Sequence, residues 1–291
     1  MDLEKLKSIN HIFIIGHTHP DIDTIVSSKI LADIFNFFAI KSDYATLEGE
    51  IPDSYNMKMI NDCMNYNPVI IRMEDIPNHK YYLVDHNDVQ QSVLDKDFVI
   101  GCIDHHQNSE TIKNAIFTDY CCTALFIYDV FKDKYPFTKE QKKQIYMAFL
   151  NDSAFGKSSR CKKKDKELIQ ALGFDESYSL LFDKYFIPTD LSDNLERVFY
   201  NNGHKSYRFG EIHFESSHIE RLDSLELEKY KIFIKNYNGN FLGLWLDYKI
   251  EKTYAFMKYN DNFKEINYDF IASRATTVLD DILKYLNKGS L

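Results

Sequence analysis

The chain has 291 residues, about twice the length of a typical domain of ~150 residues, so we expect two domains. Its 44% hydrophobic and 27% charged residues are ordinary for a globular protein, which excludes a largely disordered chain. Lys and Arg number 35 against 44 Asp and Glu, and the resulting net charge of -9 disfavours a protein that coats a nucleic acid polymer.

The composition also bears on the cellular compartment. The 5 cysteines form no Cys-x-x-Cys pair and cannot all be bridged, which indicates thiols in a reducing environment. The first residues carry acidic groups and only a short apolar run, which fits neither a signal peptide nor a transit peptide. No stretch approaches the ~18 apolar residues that a membrane-spanning helix needs. We therefore expect a soluble, cytoplasmic protein with no membrane partner.

The first predicted element is a strand at Ile12–Ile15, which is apolar on both faces like a parallel strand covered by helices. Gly16 ends this strand. Apolar residues then recur every three or four positions from Val26 to Phe38, which predicts a helix. The segment GHTHPDID between them is therefore a predicted loop at the carboxyl end of a strand, where open parallel sheets bind ligands.

Three further segments predict strands of the same sheet. Residues 81–85 (YYLVD) and 98–104 (FVIGCID) are apolar and end in an aspartate, and residues 115–120 (AIFTDY) follow them. Helices are predicted at 51–67, 122–135 and 139–153. Thr138 is a predicted N-cap because Glu and Gln follow it closely. The alternation of strands and helices predicts an α/β domain with a doubly wound, mainly parallel sheet.

A turn-rich segment at 183–194, which contains Pro188, indicates a domain boundary. We place the first domain at 1–186 and a smaller C-terminal domain at 190–291. In the second domain, strands are predicted at 211–216, 241–248 and 254–259, and helices at 221–237 and 276–287. This pattern predicts a small α/β domain that acts as a lid on the first.

Acids and histidines concentrate at the ends of these predicted elements. They are His17, Asp21 and Asp23 in the first loop, Asp85-His86-Asn87 and Asp104-His105-His106 after two strands, and Asp152 at the end of a helix. The first loop alone could be a set of solvated acids with a helix-capping aspartate. A doubly wound sheet, however, would gather all four clusters in one crevice.

Crowded carboxylates and imidazoles repel one another unless a cation lies among them. Oxygen and nitrogen ligands without a thiolate favour Mn, Co or Zn over Mg or Ca, and the excess of oxygen favours Mn2+. The number of candidate ligands indicates two ions with one aspartate bridging them. Such pairs hold a shared hydroxide that attacks phosphorus, so the implied reaction is hydrolysis of a phosphate ester or anhydride.

Four segments resemble the motifs of the DHH phosphoesterase superfamily. They are GHTHPDIDTIVSS at 16–28, LVDHNDVQQS at 83–92, CIDHHQ at 102–107 and LNDSAFGKSSRCKKKDKE at 150–167. They are most similar to the manganese-dependent, family II inorganic pyrophosphatases. The resemblance covers most of residues 10–175. It is thinner in the second domain, where DLS at 190–192, HKSY at 204–207 and SR at 273–274 correspond to the substrate-clamping half of the family.

The resemblance implies a role for each candidate residue. The implied metal ligands are His17 and Asp21 on one ion, Asp23, His105 and Asp152 on the other, and Asp85 between the two. The implied cofactor is Mn2+, two ions per chain, with Co2+ or Mg2+ as substitutes. His106 would contact the phosphate and help to protonate the leaving group, while Lys205 and Arg274 would hold phosphate oxygens. The resemblance also implies a homodimer.

The chain departs from these pyrophosphatases at one phosphate-binding position. It has Ser-Arg-Ala at 273–275 where the family has Ser-Arg-Lys. Loss of a charge-assisted contact costs ~1.5–3 kcal/mol of binding, unless Lys157, Lys162 or Lys163 replaces it.

Three functions therefore stay open. They are hydrolysis of pyrophosphate to two phosphates, exopolyphosphatase or small-nucleotide phosphodiesterase activity at the same centre, and a catalytically silent binding protein. We expect a small phosphoanhydride substrate rather than a nucleic acid polymer, because the chain lacks an interleaved aromatic and basic stretch. Activity should be lost below about pH 6, because His17 and His105 must be neutral to bind a metal.

Overall fold

The computed structural model describes residues 2–52, 54–93, 95–106, 112–174 and 178–287. Gln107 of the third motif lies outside the described residues. The chain divides into two compact units, one formed by Met1–Gly156 with Cys161–Tyr185 and the other by Lys157–Arg160 with Phe186–Leu291. Four residues that the sequence pattern placed with the first domain thus pack with the second unit, where Ser158 forms a β-bridge with Ile271.

The described strands of the first unit form one parallel sheet. They are β1 (Ile12–Ile15), β2 (Ser42–Leu47), β3 (Val69–Ile71), β4 (Tyr81–Val84), β5 (Val99–Asp104) and β6 (Ala115–Phe117). Their order is β3-β2-β1-β4-β5-β6, and each adjacent pair is parallel. The direction of winding reverses between β1 and β4. This is the topological switch point at which doubly wound sheets bind ligands.

Burial explains which strands the sequence revealed. All residues of β1 and β4 are buried, so both strands are continuously apolar. The pattern missed β2, which mixes polar and apolar residues, and β3, which is mostly exposed at the sheet edge. Gly101 in β5 is needed for packing, because a Cβ there would lie 2.4 Å from a ring carbon of Tyr82.

Helices pack on this sheet. They are α1 (Leu3–Leu6), α2 (Ile22–Phe37), α3 (Ser54–Cys63), α4 (Thr123–Phe131), α5 (Lys139–Asp152), α6 (Lys163–Ala171) and α7 (Tyr178–Tyr185). Helix α5 begins with a capping box in which Gln141 N donates to Thr138 Oγ1 (3.1 Å) and Thr138 N donates to Gln141 Oε1 (3.0 Å). The predicted N-cap at Thr138 is confirmed. This cap sets the start of the helix whose last residue is Asp152.

Replacement of Thr138 by alanine should destabilise the first unit. The variant loses the side-chain acceptor for Gln141 N, which typically costs ~1 kcal/mol. The measurement is the free energy of unfolding in a denaturant titration, with Lys139→Ala at the exposed neighbouring position as the control. Equal stabilities of the two variants would show that the cap contributes nothing.

The second unit contains a mixed sheet. Its described strands are β7 (Lys205–Phe209), β8 (Ile212–Arg221), β9 (Phe241–Asp247), β10 (Lys252–Tyr259) and β11 (Asn262–Tyr268). They lie in the order β11-β10-β9-β8-β7, with β8 and β9 parallel and the other neighbours antiparallel. The helices of this unit are α8 (Leu195–Asn201), α9 (Leu227–Asn236) and α10 (Leu279–Asn287), and a π-helical turn at Arg274–Val278 leads into α10. The predicted α/β fold class is thus confirmed.

Two predicted helices of the second unit begin later than the sequence pattern indicated. The helix predicted from residue 221 begins at Leu227, because β8 continues to Arg221. The helix predicted from residue 276 continues from the π-helical turn and becomes regular at Leu279.

The core of this unit is aromatic, with Phe199, Tyr230 and Trp245 all nearly inaccessible to solvent. Across the described residues, none of the helices combines the length and apolar character needed to cross a membrane.

Candidate metal centre

The candidate ligands of the first unit gather at one edge of the parallel sheet. His17 follows β1, Asp85 follows β4, and His105 and His106 follow β5, all at the carboxyl ends of their strands. Asp21 caps α2, Asp23 lies in its first turn, and Asp152 is the last residue of α5. Three of these strand ends flank or adjoin the switch point between β1 and β4. The site therefore lies beside the switch point, in the kind of crevice where a doubly wound sheet gathers such residues.

Asp85 is the centre of this arrangement. It is 1% exposed and has a left-handed backbone with a φ of 63°, an uncommon conformation for a residue other than glycine. Its N–H donates to Ile103 O (2.9 Å). The hydroxyls of Thr24 and Thr123 donate to its carboxylate at 2.8 and 3.3 Å. These contacts fix the orientation of the buried Asp85 carboxylate.

The close approach of Thr24 depends on glycine at the end of β1. A Cβ at Gly16 would lie 2.0 Å from Thr24 Cγ2. A larger residue would therefore displace the hydroxyl that holds Asp85. The glycine that ends the predicted strand is thus required by the packing of the site.

One group of potential ligands consists of His17, Asp21 and Asp85. His17 Nε2 lies 3.7 Å from Asp21 Oδ2 and 3.6 Å from Asp85 Oδ2. One ligand atom of each residue lies within 4.8 Å of the others. The spacing is suitable for a single cation held by one imidazole and two carboxylates.

A second group shares Asp85 with the first. His105 Nε2 lies 3.1 Å from Asp85 Oδ1, 3.3 Å from Asp152 Oδ2 and 4.0 Å from Asp23 Oδ2. The ligand atoms of these four residues also lie within 4.8 Å of one another. Asp85 therefore presents Oδ2 to the His17 group and Oδ1 to the His105 group, as a carboxylate that bridges two cations would.

Both histidines are oriented by the nitrogen that faces away from the carboxylates. Nδ1 of His17 lies 2.7 Å from Thr18 O, and Nδ1 of His105 lies 3.3 Å from Tyr120 O. A hydrogen bond from Nδ1 to a backbone carbonyl leaves the Nε2 lone pair for a metal. The backbone thus selects the tautomer that a metal site needs.

Asp23 is held by the N-terminus of α4. It accepts hydrogen bonds from Thr123 N (2.7 Å), Ala124 N (2.9 Å) and Ser27 Oγ (3.2 Å). A helix N-terminus favours a carboxylate. Even so, burial and the neighbouring Asp85 carboxylate raise the pKa of Asp23 well above its ordinary value.

The charges of the site are not balanced without a cation. Burial disfavours a charged imidazole, but Asp21 and Asp85 outweigh it and raise the pKa of His17 well above its ordinary value. Burial would also raise the pKa of Asp85, but His105 and His17 lower it well below its ordinary value. Protons and a cation would therefore compete for the same donor atoms. Four carboxylates and two imidazoles are a donor set that fits two divalent cations.

Metal binding should consequently depend on pH. The raised pKa of His17 means that its proton must leave before a cation can bind Nε2, so the affinity for Mn2+ should fall as the pH falls, by about tenfold per pH unit for each proton displaced. Calorimetric titrations at a fixed pH in buffers with different ionisation enthalpies would measure this proton release. An affinity that is constant between pH 8 and pH 5 would contradict protonation of the site.

Asp104, the first residue of Asp104-His105-His106, forms hydrogen bonds to His106 and lies outside the two ligand groups described above. Its Oδ1 accepts hydrogen bonds from His106 N (3.0 Å) and His106 Nδ1 (2.8 Å), and its other oxygen accepts from Asn87. Burial would raise the pKa of Asp104, but the His106 ring outweighs it and lowers that pKa to about 2. Asp104 therefore orients His106, whose Nδ1 is 3.8 Å from Asp85 Oδ1.

His86, in the Asp85-His86-Asn87 cluster, is held by contacts on both ring nitrogens. Its Nδ1 lies 2.9 Å from Val84 O and its Nε2 lies 2.7 Å from Ser92 Oγ. Burial lowers the pKa of His86 to about 4, so its ring is neutral at pH 7.

Sequence reasoning missed the contributions of Thr24, Thr123 and Asp104 to the site. The sequence carries no local signal for Thr24 or Thr123, because each contacts Asp85 from a remote part of the chain.

Lys205 and Arg274 belong to the second unit. Lys205 begins β7, and Arg274 begins the π-helical turn, where its Nη1 donates to Gly203 O (2.7 Å) and Ser216 Oγ (3.3 Å). Burial, followed by the charges of Arg274 and Lys205, lowers the pKa of His218 to about 3. Both cations therefore lie near one half-buried, neutral imidazole within this unit.

The first unit is similar to a known protein family. Residues 11–152 match the model of the DHH family, N-terminal domain, and this stretch contains all six candidate metal ligands. This match lies within the first unit, and the predicted resemblance to the DHH superfamily is confirmed.

Relatives then indicate which members of the superfamily the chain resembles. It is 29% identical over 223 residues to a protein of Staphylococcus epidermidis named "probable manganese-dependent inorganic pyrophosphatase", covering 72% of this chain and 71% of that one. It is 27% identical over 230 residues to the manganese-dependent inorganic pyrophosphatase of Bacillus subtilis, covering 75% and 73% of the two chains. The predicted similarity to manganese-dependent pyrophosphatases is therefore confirmed, and these relatives are metal-dependent hydrolases.

Solved structures share the fold. A structure from Methanococcus jannaschii assigned to family II inorganic pyrophosphatase superimposes with a TM-score of 0.70 at 18% identity, covering 92% of this chain and 97% of that one. An exopolyphosphatase-related protein from Bacteroides fragilis gives a TM-score of 0.50 at 15% identity, covering 88% and 82%. At these identities the likeness concerns the fold alone.

Proposed function

We propose that this protein is a Mn2+-dependent phosphohydrolase that splits inorganic pyrophosphate into two phosphates. The observation that carries the proposal is that Asp85 is shared by the His17 group and the His105 group and turns a different oxygen toward each. Carboxylate-bridged pairs of divalent ions are typical of enzymes that hydrolyse phosphate bonds. The names of the relatives support Mn2+ as the metal and pyrophosphate as the substrate.

The proposed ligands are those of the two groups. His17 and Asp21 would hold one ion, Asp23, His105 and Asp152 the other, and Asp85 both. When bound, the ions would activate water and neutralise charge on the phosphate oxygens. Co2+ or Mg2+ could substitute, because most of the ligand atoms are carboxylate oxygens.

His106 is the proposed proton donor. With Nδ1 hydrogen-bonded to Asp104, a protonated His106 ring can deliver a proton from Nε2 to the departing phosphate, and the neutral ring stays in place. Lys205 and Arg274 are proposed to bind phosphate oxygens, where fixed cations stabilise developing negative charge.

A substrate panel tests this function. The purified chain is incubated with Mn2+ or Mg2+ and with pyrophosphate, tripolyphosphate or a dinucleotide, and released phosphate or nucleotide is measured. Pyrophosphate should give the highest kcat/KM, with Mn2+ better than Mg2+. No release from pyrophosphate with either metal would refute the proposal.

Ala275 favours a second candidate, an exopolyphosphatase or small-nucleotide phosphodiesterase using the same metal centre. The lysines considered as replacements for the missing cation already form ion pairs, Lys157 with Glu251, Lys162 with Asp119 and Lys163 with Glu167. A less tightly held product phosphate would suit a longer substrate. The fold shared with an exopolyphosphatase-related protein is compatible with this reading. A higher kcat/KM for tripolyphosphate or a dinucleotide than for pyrophosphate would select it.

The remaining alternative is a catalytically silent binding protein. Competent ligands at all six metal positions argue against it. Metal analysis after reconstitution distinguishes the two, because fewer than one Mn2+ per chain would favour the silent protein. The homodimer, the cytoplasmic location and the lack of a nucleic acid partner stay predictions.

A further inference from the structure

A separate set of potential metal ligands, the thiol cluster of Cys121, Cys161 and Asp165, lies in the first unit and shares no residue with the metal centre. Sγ of Cys121, Sγ of Cys161 and a carboxylate oxygen of Asp165 lie within 4.8 Å of one another. Cys121 and Asp165 are buried and Cys161 is partly exposed. The thiol of Cys122 lies close enough to act electrostatically on that of Cys121. The proposed hydrolase activity uses none of these thiols.

From this geometry we propose that Cys121, Cys161 and Asp165 form a binding site for one thiophilic divalent cation of the Zn2+ class. Zn–S bonds of ~2.3 Å and Zn–O bonds of ~2.0–2.2 Å place tetrahedral ligand atoms roughly 3.5–4 Å apart. The three donor atoms, all within 4.8 Å of one another, are therefore close enough to bind one such cation after small side-chain adjustments. Partial exposure of Cys161 gives a cation and a water ligand access to the site.

The chemistry of the donors selects a different ion from the first centre. Sulfur ligands are soft and favour Zn2+ and similar ions, whereas the carboxylates and imidazoles around Asp85 suit Mn2+. Binding would release one proton from each of the two cysteine thiols, giving two thiolates and a carboxylate around a dication. The ammonium groups of Lys162 and Lys164 lie close enough to act electrostatically on Asp165. Both also pair with Asp119, and the one positive charge left over would compensate the remaining negative charge.

The cluster also joins elements that support the metal centre. Asp165 accepts hydrogen bonds from Lys162 N (2.7 Å) at the start of α6 and from Cys121 N (3.5 Å) just before α4. Two residues after Cys121, Thr123 N donates to Asp23. A cation at the thiols would therefore brace the helix N-terminus that holds Asp23.

A Cd2+ titration of the full chain, with Mn2+ present, tests the proposal. Thiolate-to-Cd2+ charge-transfer absorption in the ultraviolet distinguishes a thiol site from the ligand groups around Asp85, which contain no sulfur. We expect one equivalent of Cd2+ per chain to produce the band. Cys121→Ser and Cys161→Ser should each abolish it. Cys63→Ser, which changes a cysteine of similar exposure outside the cluster, should retain it.

The outcomes are decisive even if Cys121→Ser does not fold, because the partly exposed Cys161 provides a milder change. Absence of the band in the unmodified chain would overturn the proposal, and so would a band that persists in Cys161→Ser. Asp85→Ala should leave the band intact, which separates the thiol site from the centre proposed for hydrolysis. The result is independent of whether pyrophosphate is the substrate.

Discussion

The Asp85→Ala variant is expected to lose both metal ions and nearly all hydrolytic activity. Removal of a residue that merely supports a ligand costs 10–100-fold in metal affinity or activity, and Asp85 contacts both ligand groups, so we expect a loss of about 10³-fold or more. The measurements are the Mn2+ content per chain and the rate of phosphate release from pyrophosphate.

The matched control for this variant is Asp43→Ala. Asp43 lies near the start of β2, is exposed and pairs with His11 (3.0 Å), so its removal should leave both measurements unchanged. Circular dichroism of the two variants checks that each is folded. An Asp85→Ala protein with two Mn2+ per chain and the rate of the unmodified chain would disprove the shared-carboxylate centre.

Replacing His106 with glutamine should separate catalysis from metal binding. A positioned proton donor contributes about 10²–10⁴-fold to a rate, so kcat should fall by this factor while the chain still binds two Mn2+. The structure supports this division because His106 Nδ1 is directed at Asp104 (2.8 Å) rather than at Asp85 (3.8 Å).

A companion variant tests the positioning role of Asp104. Asp104→Asn keeps the shape of the side chain but weakens its hold on His106, and the loss of kcat should be smaller, about 10–100-fold. If His106→Gln instead loses one ion, His106 is a metal ligand.

The parallel sheet was largely predictable because its central strands are buried on both faces. A buried strand is continuously apolar, and β1, β4 and β5 show this pattern clearly. The edge strand β3 and the mixed strand β2 were not predictable, since an exposed or half-polar strand has no continuous apolar run. Strand order likewise depends on which elements pack together after collapse.

The candidate site was predictable in its residue types and less so in its internal contacts. Acids and histidines directly after apolar strands indicated a metal site, because strand ends meet at one edge of the sheet. The donors that orient them come from elsewhere in the chain. Thr123 and Ala124, for example, are about a hundred residues from Asp23.

The sequence by itself determined that this chain forms a doubly wound domain with carboxylates and imidazoles at its strand ends, because apolar periodicity and the position of a residue along a strand are local properties. Only the tertiary structure decided that Asp85 turns one oxygen toward His17 and the other toward His105. It also decided that Asp104 orients His106 and that Cys121 and Cys161 meet near Asp165. These are distances between residues remote in the chain, and packing of the helices against the sheet sets them.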